Sequence, residues 1–222
     1  MRVPPTVQPF VLGSEIVSAG VPAPGRVRDA YTPTLPALLA ALGARVERAR
    51  LLPDDQQDLE AALAYSGAEL LITTGSSSRG PTDRLRAALE ATGCELVVDG
   101  VAMRPGHPVL LARRRDGRPV LGLPGNPFAG LVALLTLGVP LLDGMLGRPV
   151  PRPRTASAAE DIPNPRRGVR IVAARTGDAG VVAVDFQGPA MLRGLAAADV
   201  LAVIPEGGVR RSDEVLVLPL PW

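Results

Sequence analysis

Lysine is absent. In a chain of 222 residues, all 24 positions counted as Lys or Arg are arginine. A bias that runs through the whole chain is compositional, yet it means that any position where chemistry usually wants an ammonium group must be filled by something else. Aromatic residues make up 3% of the chain, leaving little with which to stack bases as single-strand nucleic-acid binders do. The single cysteine, Cys94, excludes an intramolecular disulfide and any cysteine-rich metal site, and its apolar neighbours predict a small buried core residue. The start, MRVPPTVQPF, has no basic segment followed by an apolar run, so no secretory signal is expected. The longest apolar run, Phe128 to Leu142, is short of a membrane span, carries Pro140 and ends at Asp143, which predicts a buried core helix and no membrane. These absences together predict a cytoplasmic protein. The net charge of +2 is near balance, and the arginines are interleaved with Asp and Glu. The short cluster Arg113, Arg114 and Arg115 therefore reads as a solvated hairpin, and no nucleic-acid partner is expected.

What is present suffices for a sizeable core, since 46% of residues are hydrophobic. Val7 to Leu12 reads as a first strand. Thr32 and Pro33 start a helix that stops at Gly43, and Arg45 to Leu51 alternates as a strand. Asp55 caps a helix whose Leu59, Ala62 and Leu63 share a face. Glu69 to Thr73 is a short apolar run of the kind buried in a parallel sheet, and a helix follows from Asp83 to Thr92. Cys94 to Met103, Val109 to Arg113 and Pro119 to Leu123 read as strands, the last two turned as a hairpin by Asp116 and Gly117. The alternation predicts a layered α/β domain with a mainly parallel sheet over residues 1–150. From Gly147 to Thr155 proline and arginine alternate as in a linker. The runs RIVAA, VVAVDF, VLAVI and EVLVLPL then predict a small all-β domain, a barrel or sandwich, over residues 151–222.

In an open α/β sheet, ligands bind where strand carboxyl ends turn into helices. Two loops occupy such places. In Thr73 to Asp83 (TTGSSSRGPTD), Gly75 and Gly80 allow close approach, and Ser76, Ser77 and Ser78 offer hydroxyls ahead of a helix N-terminus, which suits an anion. An ordinary strand-to-helix turn uses the same residue types, and both readings stay open from this loop alone. Gly75 and Gly80 have P-loop spacing, but Pro81 and Thr82 follow where that motif needs Lys and Ser or Thr, which excludes it. In the second loop, Gly122 to Pro127 (GLPGNP), Pro124 and Pro127 fix the path and Gly125 permits approach. Asn126 either caps the next helix or binds a ligand.

GLPGNP, preceded by LLITTGSSSRGPTD and VAMRPGHPVL, resembles the MoeA and gephyrin E-domain family, with its TSGGVSVG-x-x-D loop, KPGKP-like segment and GLPGNP. LGSEIV is similar to TGDEL, VRDAYTPTLPALLAALGA to a DSN-containing loop and helix, and LLPDDQQDLEAAL to the family's PDD segment. MLRGLAAADVLAVIPEG resembles the closing β-domain. The resemblance implies a three-layer, MogA-like molybdopterin-binding domain followed by a small β-domain. It also implies an enzyme that takes adenylylated molybdopterin, inserts molybdate between the dithiolene sulfurs and releases AMP with Mg2+.

On that basis Gly75, Ser76, Ser77, Ser78, Gly80, Arg104, His107, Pro124, Gly125, Asn126 and Pro127 contact the ligand. Asp54 and Asp83 are catalytic, and with Glu15 they hold the metal. From spacing alone Asp54 is a turn residue and Asp83 a helix N-terminal charge. The sequence also departs from the family. Arg104 and His107 stand where two lysines are usual, Ser14 replaces the Asp of TGDEL, Ser76 replaces a Gly, and Ala129 stands where many relatives have Ser. The family's first two domains have no counterpart here, which implies a homodimer or a partner supplying them. The departures leave a non-enzymatic molybdopterin-binding or partner protein as the alternative. A nucleotide-processing enzyme of the CinA type is a further rival.

Overall fold

The computed structural model describes residues 3–75, 84–149 and 152–222. Strand Thr6–Leu12 lies one strand in from the edge of a seven-stranded sheet. On one side it pairs in parallel with Arg45–Val46 and Arg50–Leu52, and on the other with Leu70–Thr74. Pro119–Leu123 continues the parallel order, and Leu110–Arg113 and Glu95–Asp99 complete the sheet as antiparallel strands. Every residue of Thr6–Leu12 and Leu70–Thr74 is buried, as expected of strands covered on both faces.

Side-chain alternation sorts those strands onto two cores. Val7, Val11, Leu70, Ile72 and Leu121 pack with Leu35 and Leu39 of helix Leu35–Ala41 and with Phe128 and Val132. Phe10, Leu12, Leu71 and Val120 pack on the opposite face with Leu59 and Leu63 of helix Gln56–Tyr65 and with Leu85 and Leu89 of helix Leu85–Ala91. The result is three layers, helix–sheet–helix.

Three sequence expectations change in detail. The single strand expected over Arg45 to Leu51 is two, because Pro9, opposite the break, has no N–H to give a neighbour. The Gln8 side-chain amide bridges the gap, donating to the Arg48 carbonyl at 2.9 Å. The strand expected over Cys94 to Met103 ends at Asp99, and Met103–Arg104 instead pairs with Val169–Arg170 of the second sheet. Gly168 permits that approach: with φ +79, any Cβ there would lie 2.3 Å from the Ala102 carbonyl oxygen. Cys94 is half-buried at the margin of the second core, with its sulfur 3.4 Å from the Thr92 hydroxyl.

The apolar helix spans Pro127–Leu146, 20 residues, so by length and composition it could cross a bilayer, contrary to the shorter run read from the sequence. Its Phe128, Val132, Ala133 and Leu134 are instead fully buried in the protein core. The middle turn, Leu134–Gly138, is π-helical. Pro140 explains it: proline cannot donate to the carbonyl four residues back, and the wider turn relieves the clash. Arg113 and Arg114 are occupied locally, the first by Glu95 at 2.5 Å and the second by the Ser66 carbonyl at 2.9 Å.

The second sheet has six strands, ordered Arg154–Ser157, Glu214–Pro219, Val200–Ile204, Val169–Gly177 and Gly180–Ala183, with Met103–Arg104 beside Val169–Gly177. A bridge from Ala158 to Val181 brings the first strand's end against the last strand, so the sheet closes into a small barrel. Ile171, Leu195 and Leu201 from this part join the core that holds Phe128, which makes the contact between the two sheets continuous.

The Asp55 carboxylate accepts from the backbone N–H of Gln57 at 2.9 Å and of Asp58 at 3.1 Å, capping helix Gln56–Tyr65 as its sequence position predicts. Asp55→Ala is expected to cost about 1 kcal/mol, read as a lower urea midpoint with an unchanged slope.

Candidate functional site

Two bends meet at the carboxyl rim of the parallel strands. Gly75 closes strand Leu70–Thr74 with φ +85, and its N–H donates to the Leu123 carbonyl at 3.1 Å. A Cβ on Gly125 would lie 3.4 Å from the Gly75 Cα, so the GLPGNP bend rests directly on the first loop. The rest of that first loop, with the predicted Ser76, Ser77, Ser78, Gly80 and Asp83, lies outside the described residues.

The GLPGNP bend is tied from below by Tyr31, a residue the sequence reading did not select. The Tyr31 hydroxyl donates to the carbonyls of Pro124 at 2.6 Å and Asn126 at 3.0 Å. It fits only because residue 130 is glycine, since a Cβ there would lie 1.9 Å from the hydroxyl oxygen. Burial pushes the Tyr31 phenol well above its ordinary value, an effect the Gly130 backbone partly offsets. Asp29 sets the preceding turn, with one carboxylate oxygen accepting from the N–H of Tyr31 at 3.0 Å and of Thr32 at 2.9 Å. Its other oxygen is buried without a partner. Asn126 precedes the helix in extended conformation with Pro127 at the first position, but its side chain makes no capping bond. The tie from Tyr31 already fixes the bend, so the Asn126 amide remains at the rim instead of folding back onto the helix.

Two hollows open on either side of that bend. The first, about 640 Å³, holds Glu15, Asp29 and Asp54 with Arg28, and is floored by Gly75 and Pro124 to Pro127. Ser14 and Asp54 clasp each other, the Ser14 N–H donating to the Asp54 carboxylate and the Asp54 N–H to the Ser14 hydroxyl, both at 3.0 Å. The serine therefore fixes the Asp54 carboxylate at this rim. Among the described residues no group of three His, Cys, Asp or Glu converges closely enough to hold a metal unaided.

The second hollow, about 540 Å³, lies between the first sheet and the barrel, and its charged lining is Arg104, His107, Arg166 and Arg170. The His107 Nδ1 donates to the Val101 carbonyl at 2.7 Å. Arg170 donates to the Pro163 carbonyl at 2.7 Å. Buried Asn164 fastens the same loop by donating to the carbonyls of Gly168, Ile204 and Pro205. Gln187 holds the facing loop, accepting from the Ala173 N–H at 3.1 Å and donating back to its carbonyl at 2.8 Å. Pro108, Pro124 and Asn126 line both hollows, so one is acidic, the other basic, and the GLPGNP bend is their common wall.

The structure thus brings Glu15, Asp54, Gly75, Pro124, Gly125, Asn126 and Pro127 to the acidic hollow, and Arg104 and His107 to the basic one. Sequence reasoning missed Arg28, Asp29 and Tyr31, although the DAYTP turn before a helix carried a signal. It also missed Asn164 and Arg166, which lie in a Pro- and Arg-rich stretch with no pattern of its own, and Arg170, which was read only as the first residue of the RIVAA strand.

The site is that of an α/β ligand-binding domain with its cleft at the strand carboxyl ends. The chain belongs to the family described as "Probable molybdopterin binding domain", whose model matches residues 10–144. Residues 155–220 match the "MoeA C-terminal region (domain IV)". A molybdopterin molybdenumtransferase of Synechococcus elongatus is 34% identical over 203 residues, covering 88% of this chain and 50% of the relative. A molybdopterin molybdenumtransferase 2 of Mycobacterium tuberculosis is 33% identical over 208 residues, covering 87% of this chain and 51% of the relative. The crystal structure of a molybdopterin biosynthesis moea protein from Pyrococcus horikosii superposes with a TM-score of 0.79 at 25% identity, covering 99% of this chain and 55% of that one. The chain spans about half the length of these relatives.

Tyr31→Phe removes the donor to two carbonyls and is expected to cost about 1–3 kcal/mol. The folded state holds the Tyr31 proton more tightly than the unfolded state does. The phenol's contribution is therefore full below its ordinary value near 10 and shrinks as pH rises above it. Denaturant unfolding between about pH 8 and pH 11 should show an alkaline loss of stability that is smaller in Tyr31→Phe.

Proposed function

We propose that the chain is a transferase of molybdenum cofactor synthesis in the cytoplasm, holding adenylylated molybdopterin in the acidic hollow and molybdate in the basic one. The observation that carries this reading is the common wall. Asn126 lines both hollows, so an organic substrate in one and a small oxyanion in the other would share that residue. The unused Asn126 side-chain amide offers a donor and an acceptor at that meeting point.

The oxygen donors of the acidic hollow suit Mg2+ chemically. Mg2+ usually takes one or two carboxylates, with substrate phosphates and waters filling its octahedron. Glu15 and Asp54 would hold the ion there, and Asp83 is proposed as a further ligand from the family pattern. The ion would neutralise phosphate charge as AMP leaves. The residues do the rest: Asp54, fixed by Ser14, stands at the phosphate side, while Gly75 and Gly125 let the backbone approach the ligand. Ser76, Ser77, Ser78 and Gly80 are proposed to complete the phosphate contacts. Arg104, Arg166 and Arg170 surround the oxyanion with charge that does not depend on pH.

The test is AMP release from adenylylated molybdopterin, followed with and without molybdate and Mg2+. Release requiring both is expected, with Asp54→Asn slower by about 100-fold, the scale of losing a positioned acid, base or charge. Tight binding of adenylylated molybdopterin with no AMP release would make the chain a cofactor-binding protein instead, and no binding would overturn the reading.

A further inference from the structure

His107 is the chain's one histidine, and it lines the basic hollow beside three arginines. Its Nδ1 lies 2.7 Å from the Val101 carbonyl. A carbonyl oxygen only accepts, so Nδ1 carries a hydrogen whether the ring is neutral or charged. Any change of charge therefore occurs at Nε2, on the far side of the ring from that tether. A neutral Nε2 presents a lone pair, which repels an oxyanion. A protonated Nε2 donates to it and adds a positive charge.

The charged groups around the ring come from three elements. Arg104 stands on the same loop, and Arg166 and Arg170 come from the barrel side. Asp99, at the end of the strand leading to Val101, is paired with Arg86 at 2.5 Å. Among the described residues no carboxylate lines the hollow. A bound anion would compensate an imidazolium there.

We propose that oxyanion capture in this hollow is coupled to protonation of His107, the anion and the Nε2 proton each strengthening the binding of the other. The inference rests on the oxyanion reading above and adds its regulation. Reciprocity follows from thermodynamics: if a proton raises anion affinity, the anion raises proton affinity by the same factor. The arginines set a constant floor of attraction, and His107 adds the part that depends on its Nε2 proton.

The experiment is calorimetric titration of the full chain with sodium molybdate from about pH 6 to about pH 8.5, in buffers of differing protonation enthalpy. Affinity should fall about tenfold across that range, within the usual span of such couplings, with net proton uptake greatest where affinity falls most steeply and absent where it levels off. His107→Gln should bind with the weaker, pH-independent affinity and no proton uptake. His107→Lys should bind with the tighter affinity and little pH dependence. If His107→Gln keeps the native slope and proton uptake, the coupling is overturned and the oxyanion reading survives. If neither the native chain nor His107→Lys binds molybdate saturably at any pH, the oxyanion reading itself falls.

Discussion

The cleft depends on one hydroxyl. Tyr31 sits in the turn before helix Leu35–Ala41, and its oxygen reaches the carbonyls of Pro124 and Asn126, more than ninety residues away in sequence. A buried carbonyl left without a donor is costly, so this contact fixes the GLPGNP bend more firmly than its two prolines alone. The space for it comes from Gly130, one turn into the long helix. Asp29 in turn aims Tyr31 by bonding the N–H groups of residues 31 and 32. Turn, tyrosine, bend and glycine form one unit, and the positions of Asn126, Gly125 and both hollows follow from it.

A second constraint is the seam between the two sheets. Val169 donates to Ala102 at 2.9 Å, and strand pairing continues through Met103–Arg104. The loop bearing Arg104 and His107 is therefore clamped to the barrel by backbone bonds, while Arg166 and Arg170 come from the barrel itself. A hollow built across such a seam needs both parts folded, and its positive charge is assembled from segments far apart in sequence. The acidic hollow is built differently, almost wholly from loops at the carboxyl rim of the first sheet. Opposite charge on the two sides of one bend is thus a consequence of topology.

The layers were legible in the sequence because buried parallel strands and capped helices leave local patterns. Leu70–Thr74 is a continuous apolar run, Asp55 precedes its helix as a cap, and Asp116–Gly117 turns a hairpin. What failed to show was long-range. Nothing local says that Gln8 bridges the gap opposite Pro9, that Arg104 pairs into the second sheet, or that strand Arg154–Ser157 lies beside Glu214–Pro219. The same division holds at the site. Gly75, Asp54 and the GLPGNP residues were visible as motif, and Gly75, Asp54 and Pro124 to Pro127 line one cleft. Tyr31 and the barrel arginines were invisible, because their roles depend on partners that only the fold brings near.

The composition bears on the basic hollow in a way that no single motif shows. Where a protein uses lysine, attraction for an anion comes from compact ammonium groups on flexible stems. Here every strong base is a guanidinium, planar and charged throughout the physiological range. Arg170 spends one nitrogen on the Pro163 carbonyl, which holds its fork in place while other donors stay on the planar head. The guanidinium groups of such a hollow keep a constant charge. His107 is the exception, short, tethered at Nδ1 and able to change its charge. Among the described residues that line this hollow, His107 is therefore the one charge-bearing side chain that is not a guanidinium.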